Sequence, residues 1–286
     1  MTHPTDAPPT SPAPEPPPEP RPSDVEVAIA AALRGAAEVA AAFGRPVTRH
    51  AKSALDFATD TDVAAERAVR EVLADARPDD AVVGEELGTS GGDAPRRWYV
   101  DPLCGTLNFA AGVPSFGVNV ALAEQQDGTE RVAAAAVADP LTGEVLWTDG
   151  ARACRRAPGT GADTDLSPTP VTRLVNVDVD NGGAAPGLVA DEAVRAAFAV
   201  RVASTSLALA WVAAGRQAAY VTGAHVDGSV HFLPGVALCE AAGCVVTDLD
   251  GGQVRGGRGI VAAADAATSA AVLARVRAVG GTSPLS

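Results

Sequence analysis

The sequence predicts an α/β fold built from stacked layers of helices and sheets. Stretches with helical patterning alternate with short apolar runs bounded by turn residues along most of the chain. Such runs suit buried strands, and the alternation places helices against the faces of sheets. With 286 residues, of which 47% are hydrophobic, the chain can bury a large core as one or two closely joined domains.

The first 22 residues contain ten prolines and few apolar side chains. Because proline removes a backbone donor and fixes φ, we expect residues 1–22 to form a disordered tail with partly polyproline-II character. This segment lacks the basic start and the apolar run of a secretion signal. We also find no apolar stretch that would span a membrane, so the sequence predicts a cytoplasmic protein.

The net charge of −13 at pH 7 argues against a partner that is a nucleic acid. A phosphorylated substrate would meet a repulsive field unless metal cations supplied a local attraction. The cysteines show no metal-ligand spacing, which favours reduced thiols in a cytoplasmic protein over disulfides. They are Cys104, Cys154, Cys239 and Cys244.

Two helices are expected directly after the tail. Ser23 and Glu26 have the spacing of a capping box, so the first helix should begin there and end near Gly44. The second helix should run from Asp62 to about Ala76, because an Arg-Pro pair follows and ends it.

Strands dominate the next stretch. Apolar runs bounded by turn residues predict strands at 81–83, 98–100, 116–123, 131–137 and 144–147. The third and fourth of these should form a hairpin around Asp127 and Gly128. Residues 151–170 are rich in Gly, Pro, Thr and Asp, which predicts a loop or a junction between sub-domains.

The second half alternates again. We expect strands at 174–179, near 200, and at 218–222, 244–248 and 259–263. Helices are expected at 189–198, 206–214, 234–242 and 266–279. The chain after the tail is therefore divided into an N-terminal α+β half, 23–150, and a C-terminal α/β half, 151–286.

Three acidic clusters lie at the edges of predicted elements in the first half. They are 56–62, preceded by Lys52, then Glu85 with Glu86, and finally Asp101. Carboxylates at strand ends can converge on one point, and magnesium needs hard oxygen ligands. Each cluster taken alone also fits a helix cap or a solvated turn.

The order of these motifs is specific. It reads Asp-Phe-Ala-Thr-x-x-Asp at 56–62, Gly-Glu-Glu at 84–86, Trp-x-x-Asp-Pro-Leu-x-Gly-Thr-x-Asn-Phe at 98–109 and Glu-Ala-Ala-Gly at 240–243. This order resembles the inositol monophosphatase family across residues 24–278. The resemblance implies a layered α/β/α/β/α sandwich and metal-dependent hydrolysis of a small phosphate monoester such as an inositol, sugar or related phosphate.

The resemblance also implies roles for individual residues. Glu85 and Asp101 match carboxylates that bind the first, activating Mg²⁺, and the Leu103 carbonyl matches its backbone ligand. Thr106 matches the hydroxyl that helps Glu85 to orient the attacking water. Asp62 matches a carboxylate that holds further metal through water.

The phosphate group has its own expected contacts. Gly105 and Thr106 match backbone N–H groups that hold the phosphate, which suits a glycine turn that begins a helix. This half of the chain, 23–150, is therefore expected to be the metal-binding half.

Two positions depart from the family pattern at the second Mg²⁺ site. Cys104 stands where the family has the second aspartate of its signature, and Val230, ten residues before Glu240, stands where the family has a third. A neutral thiol is a poor magnesium ligand and valine is none. Asp227 and His231 are candidate substitutes.

Cys104 with His231 would favour a softer ion such as zinc. The alternative is a small buried thiol and a surface histidine with no metal between them. One Mg²⁺ site is therefore expected, with the second in question.

The resemblance to the family, together with the two departures from its pattern, leaves two alternative functions. The first is phosphomonoester hydrolysis, weak or altered by the lost ligands, with a small phosphorylated metabolite as substrate. The second is a catalytically inactive relative that binds a phosphate compound or a protein. Neither nucleic acid nor a membrane is an expected partner, and a homodimer is left open.

Overall fold

The computed structural model describes residues 21–53, 56–126 and 129–280. The first layer contains α1 (Asp24–Ala42) and α2 (Asp60–Ala76), which pack on each other and on the sheet below. Ser23 Oγ accepts from the Glu26 amide at 3.4 Å, as predicted, but the Glu26 carboxylate pairs with Arg156 and does not complete a capping box. Most of the expected tail lies outside the described residues.

A capping box does occur at α2, which begins two residues before the predicted start. The Thr59 hydroxyl accepts from the first turn of the helix, and the Asp62 carboxylate accepts from the Thr59 amide at 2.8 Å. Asp62 therefore lies inside the helix as a capping residue. A two-stranded sheet of β1 (Arg49–Ala51) and β2 (Phe57–Thr59) precedes it.

The second layer is a mostly antiparallel, eight-stranded sheet. Its strands are β3 (Ala81–Gly84), β4 (Gly88–Ser90), β5 (Arg96–Cys104), β6 (Gly117–Gln126), β7 (Thr129–Ala138), β8 (Val145–Thr148), β9 (Ala153–Arg156) and β10 (Asp163–Asp165), in the order β10-β9-β8-β7-β6-β5-β3-β4. A short helix, α3 (Thr106–Ala110), follows β5. β6 and β7 pair as the predicted hairpin, whose Asp127-Gly128 turn lies outside the described residues.

The prediction of a loop at 151–170 is wrong, because β9 and β10 lie within it. Both strands extend the edge of the sheet, where polar side chains face solvent and form ion pairs such as Arg156 with Asp163. An edge strand tolerates a polar composition that also suits a loop. The first sheet thus continues beyond residue 150, and we propose that the two halves divide between Asp165 and Leu174 instead.

The third layer consists of α6 (Ser206–Ala213) and α7 (Leu233–Ala242), between the two sheets. Both helices carry apolar residues on all their faces, which suits helices that are buried between two sheets. The fourth layer is a mixed sheet of β11 (Leu174–Asp178), β12 (Ala199–Val202), β13 (Ala219–Thr222), β14 (Val245–Thr247) and β15 (Ile260–Ala263), in the order β12-β11-β13-β15-β14.

The fifth layer contains α4 (Ala185–Ala190), α5 (Glu192–Ala197) and α8 (Ala266–Gly280). The single helix predicted at 189–198 is divided at Asp191, whose side chain caps α5 by accepting from the Val194 amide. Three clusters of buried apolar side chains fill the spaces between adjoining layers. The predicted α/β/α/β/α sandwich is therefore confirmed. None of the helices in the described ranges has the length and apolar composition needed to cross a membrane.

Candidate metal centre

The candidate centre lies where β3 and β5 end. These two strands run parallel, so their carboxyl ends meet at the same edge of the sheet. Glu85 follows β3, and its amide donates to the Val100 carbonyl of β5 at 3.1 Å. Asp101 lies in β5, one residue further along. The acidic residues predicted to converge at strand ends are thus brought together.

A β-bulge in β5 determines which side chains share this edge. The register with β6 shifts between Asp101 and Cys104, so two residues of β5 oppose a single residue of β6. In a regular strand, residues three apart point to opposite faces. Because a bulge re-aims the chain, Asp101 and Cys104 contribute ligand atoms to the same cluster.

Asp101 is fully buried and lies at the middle of the cluster. Its Oδ1 accepts from the Leu103 amide at 3.1 Å, and its Oδ2 lies 2.7 Å from Nδ1 of His231. Burial would raise the pKa of Asp101, but the charge of His231 and its hydrogen bond outweigh this and lower the pKa. Burial would likewise lower the pKa of His231, and Asp101 instead raises it to about 12.

Glu85 lies beside Asp101, near enough for the charge of Asp101 to affect the pKa of Glu85. Burial, together with the charge of Asp101, raises the pKa of Glu85 to about 8, despite Lys52 Nζ at 2.9 Å from its Oε1. Lys52 also contacts Glu86, at 2.6 Å. Two neighbouring carboxyl groups that are shielded from solvent, fully for Asp101 and partly for Glu85, either share a proton or need a cation between them. Together with the Leu103 carbonyl they offer the oxygen donors that Mg²⁺ requires, so these residues fit the ion.

Thr106 links this pair to α2. Its Oγ1 lies 2.9 Å from Asp62 Oδ1 and 3.0 Å from the Leu103 carbonyl oxygen, and its single proton serves one of them at a time. The other Asp62 oxygen accepts from Thr59. Burial raises the pKa of Asp62. Asp62 thus holds Thr106 in place and caps α2.

Gly105 permits the turn between Asp101 and α3. Its φ of 104° lies in the left-handed region, and a Cβ there would come within 2.8 Å of the Ser115 carbonyl oxygen. Only glycine fits such a position without strain. The Gly105 and Thr106 amides therefore follow the bulge directly.

Cys104 has polar partners. This differs from the alternative of an inert, buried thiol that the sequence also allowed. Its Sγ accepts from the Ser206 amide at 3.2 Å, at the start of α6. Ligand atoms of Asp101, Cys104 and His231 all lie within 4.8 Å of one another. Burial, with the charge of Asp101, raises the pKa of Cys104 to about 11, so the group is a thiol in this arrangement.

Val230 does not reach the cluster, whereas the residue after it does. Val230 packs in the apolar cluster between the sheets, and the next residue, His231, lies beside Asp101. We therefore propose that His231, one residue after the counted position, occupies the place of the family's third aspartate. Asp227 is not part of the cluster, because its Oδ2 accepts from the Gly256 amide at 2.6 Å on a different loop.

Sequence reasoning missed two buried residues near the centre. Glu66 accepts from the amides of Glu86 and Leu87 at 2.7 and 3.2 Å and so shapes the loop that carries Glu85. Its spacing of four from Asp62 was an available signal, since both then face the same side of the helix. Asn119 is a polar residue in an apolar strand, and its Nδ2 lies 3.5 Å from Asp101 Oδ2.

Comparisons with known proteins agree with this fold. A model of the inositol monophosphatase family matches residues 22–280. The chain is 31% identical over 209 residues to an inositol-1-monophosphatase from Caulobacter vibrioides, which covers 70% of this chain and 78% of the relative. It is 35% identical over 245 residues to the inositol-1-monophosphatase ImpA of Mycolicibacterium smegmatis, which covers 79% and 82%.

A solved structure shows the same architecture. The extragenic suppressor protein suhB from Bartonella henselae matches with a TM-score of 0.76 at 24% sequence identity, over 88% of this chain and 97% of that chain. The family match and the two relatives extend this agreement from fold to sequence. The chain belongs to the inositol monophosphatase family.

Proposed function

We propose that the protein is a metal-dependent phosphatase that hydrolyses a small phosphate monoester of the inositol phosphate or sugar phosphate class. The observation that supports this most is that the buried Asp101 and the partly buried Glu85 lie at adjoining strand ends, with the Thr106 hydroxyl against the Leu103 carbonyl. The relatives named inositol-1-monophosphatase support the substrate class. The four cysteines are free, which suits the cytoplasm.

We propose Mg²⁺ as the ion at the oxygen donors. Glu85, Asp101 and the Leu103 carbonyl would hold it, and when bound it supplies positive charge that stabilises the phosphoryl group during transfer. The protein itself contributes position. Lys52 holds the Glu85 carboxyl group, which is placed to orient a water molecule and accept its proton.

Thr106 completes the proposed arrangement. Its hydroxyl is held by Asp62 and the Leu103 carbonyl, so it can share a water molecule with Glu85 without rotating. The amides of Gly105 and Thr106 would donate to the phosphate oxygens.

The competing function is binding without turnover. It is favoured by one observation, the contact of His231 with Asp101, which occupies an oxygen that a metal would otherwise use. An inactive relative would keep the phosphate-binding turn at Gly105 and lack the second cation of the family.

A substrate panel tests the proposed function. Purified protein, first treated with chelator, is given inositol, sugar, histidinol and nucleotide phosphates with Mg²⁺, Mn²⁺ or Zn²⁺, and released phosphate is measured. We expect release from at least one small phosphate ester, and a loss of at least about 100-fold in Glu85→Gln, since removal of outer-shell groups alone costs about 10–100-fold. Glu71→Gln, on the exposed side of α2, is the matched control and should equal the parent.

Release of no phosphate under any combination would contradict the proposal. Thermal shift measurements with the same compounds then distinguish the competing function, because binding to the native state raises the melting temperature. A rise without hydrolysis would establish a binding protein.

A further inference from the structure

We propose that Asp101, Cys104 and His231 form a binding site for a borderline-soft divalent cation, with zinc as the best fit, next to the oxygen donors of Glu85 and Leu103. The inference rests on the proposed function only in that both sites share Asp101. It concerns which ion this chain binds there, and metal binding can be measured without turnover.

The spacing of the three ligand atoms fits such an ion. They lie within 4.8 Å of one another. A tetrahedral zinc ion with ligands at about 2.0–2.3 Å separates them by roughly 3.5 Å. Movements of about 1 Å therefore suffice, which rotation of the partly exposed His231 ring can supply.

The chemistry of the three donors selects the kind of ion. One thiol, one imidazole and one carboxylate match the sulfur, nitrogen and oxygen ligands that zinc accepts. Magnesium takes oxygen ligands almost alone, so it would gain only the Asp101 carboxylate from this set. Binding displaces two protons to solvent, the thiol proton of Cys104 and one ring proton of His231, because a thiolate and a neutral imidazole are the binding forms.

Buried polar groups around the cluster supply the outer contacts that metal ligands usually have. The Ser206 amide donates to Cys104 Sγ at 3.2 Å, and Asn119 Nδ2 lies 3.5 Å from Asp101 Oδ2. Both residues are almost fully buried, and within the described part of the chain Ser206 Oγ and Asn119 Oδ1 have no hydrogen-bond partner. Buried polar atoms of this kind call for a partner, and an ion with its bound water would supply one.

The test measures metal binding directly on the full chain. Chelator-treated protein is titrated with Zn²⁺ and with Mg²⁺ by calorimetry, and with Co²⁺ while its absorption spectrum is recorded. We expect one Zn²⁺ per chain at this cluster, bound at least about 100-fold more tightly than Mg²⁺. We also expect a sulfur-to-cobalt charge-transfer band in the near ultraviolet.

Variants assign the binding to these residues. Cys104→Ser and His231→Gln should each weaken Zn²⁺ binding at least about tenfold, and Cys104→Ser should remove the cobalt band. Matched controls are Cys154→Ser, which keeps a donor for Asp165, and His225→Gln, on the loop that contacts Gly257. Both should bind like the parent. Circular dichroism and melting temperature confirm that each variant is folded.

The outcomes separate this inference from the proposed function. Zinc bound as tightly by Cys104→Ser as by the parent, or Mg²⁺ bound as tightly as Zn²⁺, would overturn the inference even if phosphate is released. Rapid alkylation of Cys104 at neutral pH that Zn²⁺ does not slow would also overturn it, in favour of a nucleophilic cysteine. Zinc binding at the cluster without hydrolysis of any phosphate ester would leave the inference standing and refute the function.

Discussion

At the scale of single residues, Asp101 connects every proposed role of the site. It lies beside Glu85, which is proposed to orient water, and its Oδ2 is 2.7 Å from Nδ1 of His231, which is proposed to bind a second ion. Its burial makes both contacts strong, because the surrounding protein screens charge less than water does. A change in any one of these partners should therefore alter the others.

The first prediction concerns restoration of an all-oxygen second site. Cys104→Asp combined with His231→Asp should raise Mg²⁺-dependent phosphatase activity much more than either change alone, because ligands of one ion act as a unit. The measurement is phosphate release with Mg²⁺ alone for the parent, both single variants and the double variant. Equal activity in the double variant and the parent would show that the lost ligands do not limit turnover.

Val230 provides the control for that experiment. The sequence count placed the missing aspartate at Val230, but its side chain is buried in the apolar cluster between the sheets. Cys104→Asp with Val230→Asp should therefore not restore activity, and it should lower the melting temperature, because an unpaired carboxylate would be buried.

Motifs predicted most of the residues that the fold brings to this edge of the sheet, and position 231 shows the limit of a motif. Glu85, Asp101 and Thr106 stand in runs whose residue order is specific, so they could be proposed as site residues without a structure. His231 stands in a segment without such an order, so its place beside Asp101 is visible only in the structure. The bulge at Asp101 likewise depends on pairing with β6, which no local pattern records.

At the scale of elements, the loop after β3 is built around Glu66. Its buried carboxylate accepts two loop amides and pairs with Arg70 Nε at 2.8 Å. Gly84 leaves room for it, since a Cβ there would lie 1.8 Å from Glu66 Oε1. The position of Glu85 thus depends on a residue of α2.

We predict that Glu66→Ala lowers the free energy of unfolding by about 3 kcal/mol or more, because two loop amides lose their acceptor and Arg70 Nε loses its carboxylate. Phosphatase activity should fall with it as the Glu85 loop loses its support. Denaturant unfolding measures the first effect. Glu71→Ala, an exposed change on the same helix, should cost less than about 0.5 kcal/mol. A similar cost for the two variants would refute the role of Glu66.

The cap of α2 gives another prediction. Thr59→Ala should destabilise the protein by about 1 kcal/mol, since it removes the side-chain acceptor of the capping box. Thr59→Ser retains the hydroxyl and should lose much less. Thermal unfolding compares the two, and indistinguishable melting temperatures would contradict the proposed cap.

Helix starts and buried strands were predictable from sequence, because caps and apolar runs are local signals. The predicted start of α2, at Asp62, lies two residues after the observed one. Thr59 caps the helix, and Asp62 completes the capping box from inside its first turn. The edge strands β9 and β10 were missed for a different reason. Their polar residues satisfy one another across the strand pair and in sequence look like a loop.

At the scale of the whole molecule, the five layers place the site where the first sheet meets α6 and α7. β3 and β5 deliver the carboxylates, α6 delivers the amide that contacts Cys104, and the segment before α7 delivers His231. The two halves therefore meet at the cluster. Sequence resemblance predicted the layers, but only the assembled layers brought residues 130 positions apart into contact.

The proline-rich segment should not contribute to folding. A chain that begins at Arg21 keeps the Pro22 carbonyl, which accepts from Arg77 Nη2 at 2.7 Å, so its melting temperature should lie within about 5 °C of the parent, a difference of roughly 2 kcal/mol. A chain that begins at Val25 is the control. It loses Asp24, which pairs with Arg77 and Arg96, and should melt at a clearly lower temperature. A large loss in the first chain would mean that residues 1–20 pack on the fold.

The most direct test of the central claim is anomalous X-ray diffraction from crystals grown with both Zn²⁺ and Mn²⁺, the latter in place of Mg²⁺. Data at each metal edge locate each ion. We predict manganese bonded to Glu85, Asp101 and the Leu103 carbonyl, and zinc bonded to Asp101, Cys104 and His231, with ligand distances of about 2.0–2.3 Å. An absence of both ions from this edge of the sheet, with the site residues ordered, would contradict the account.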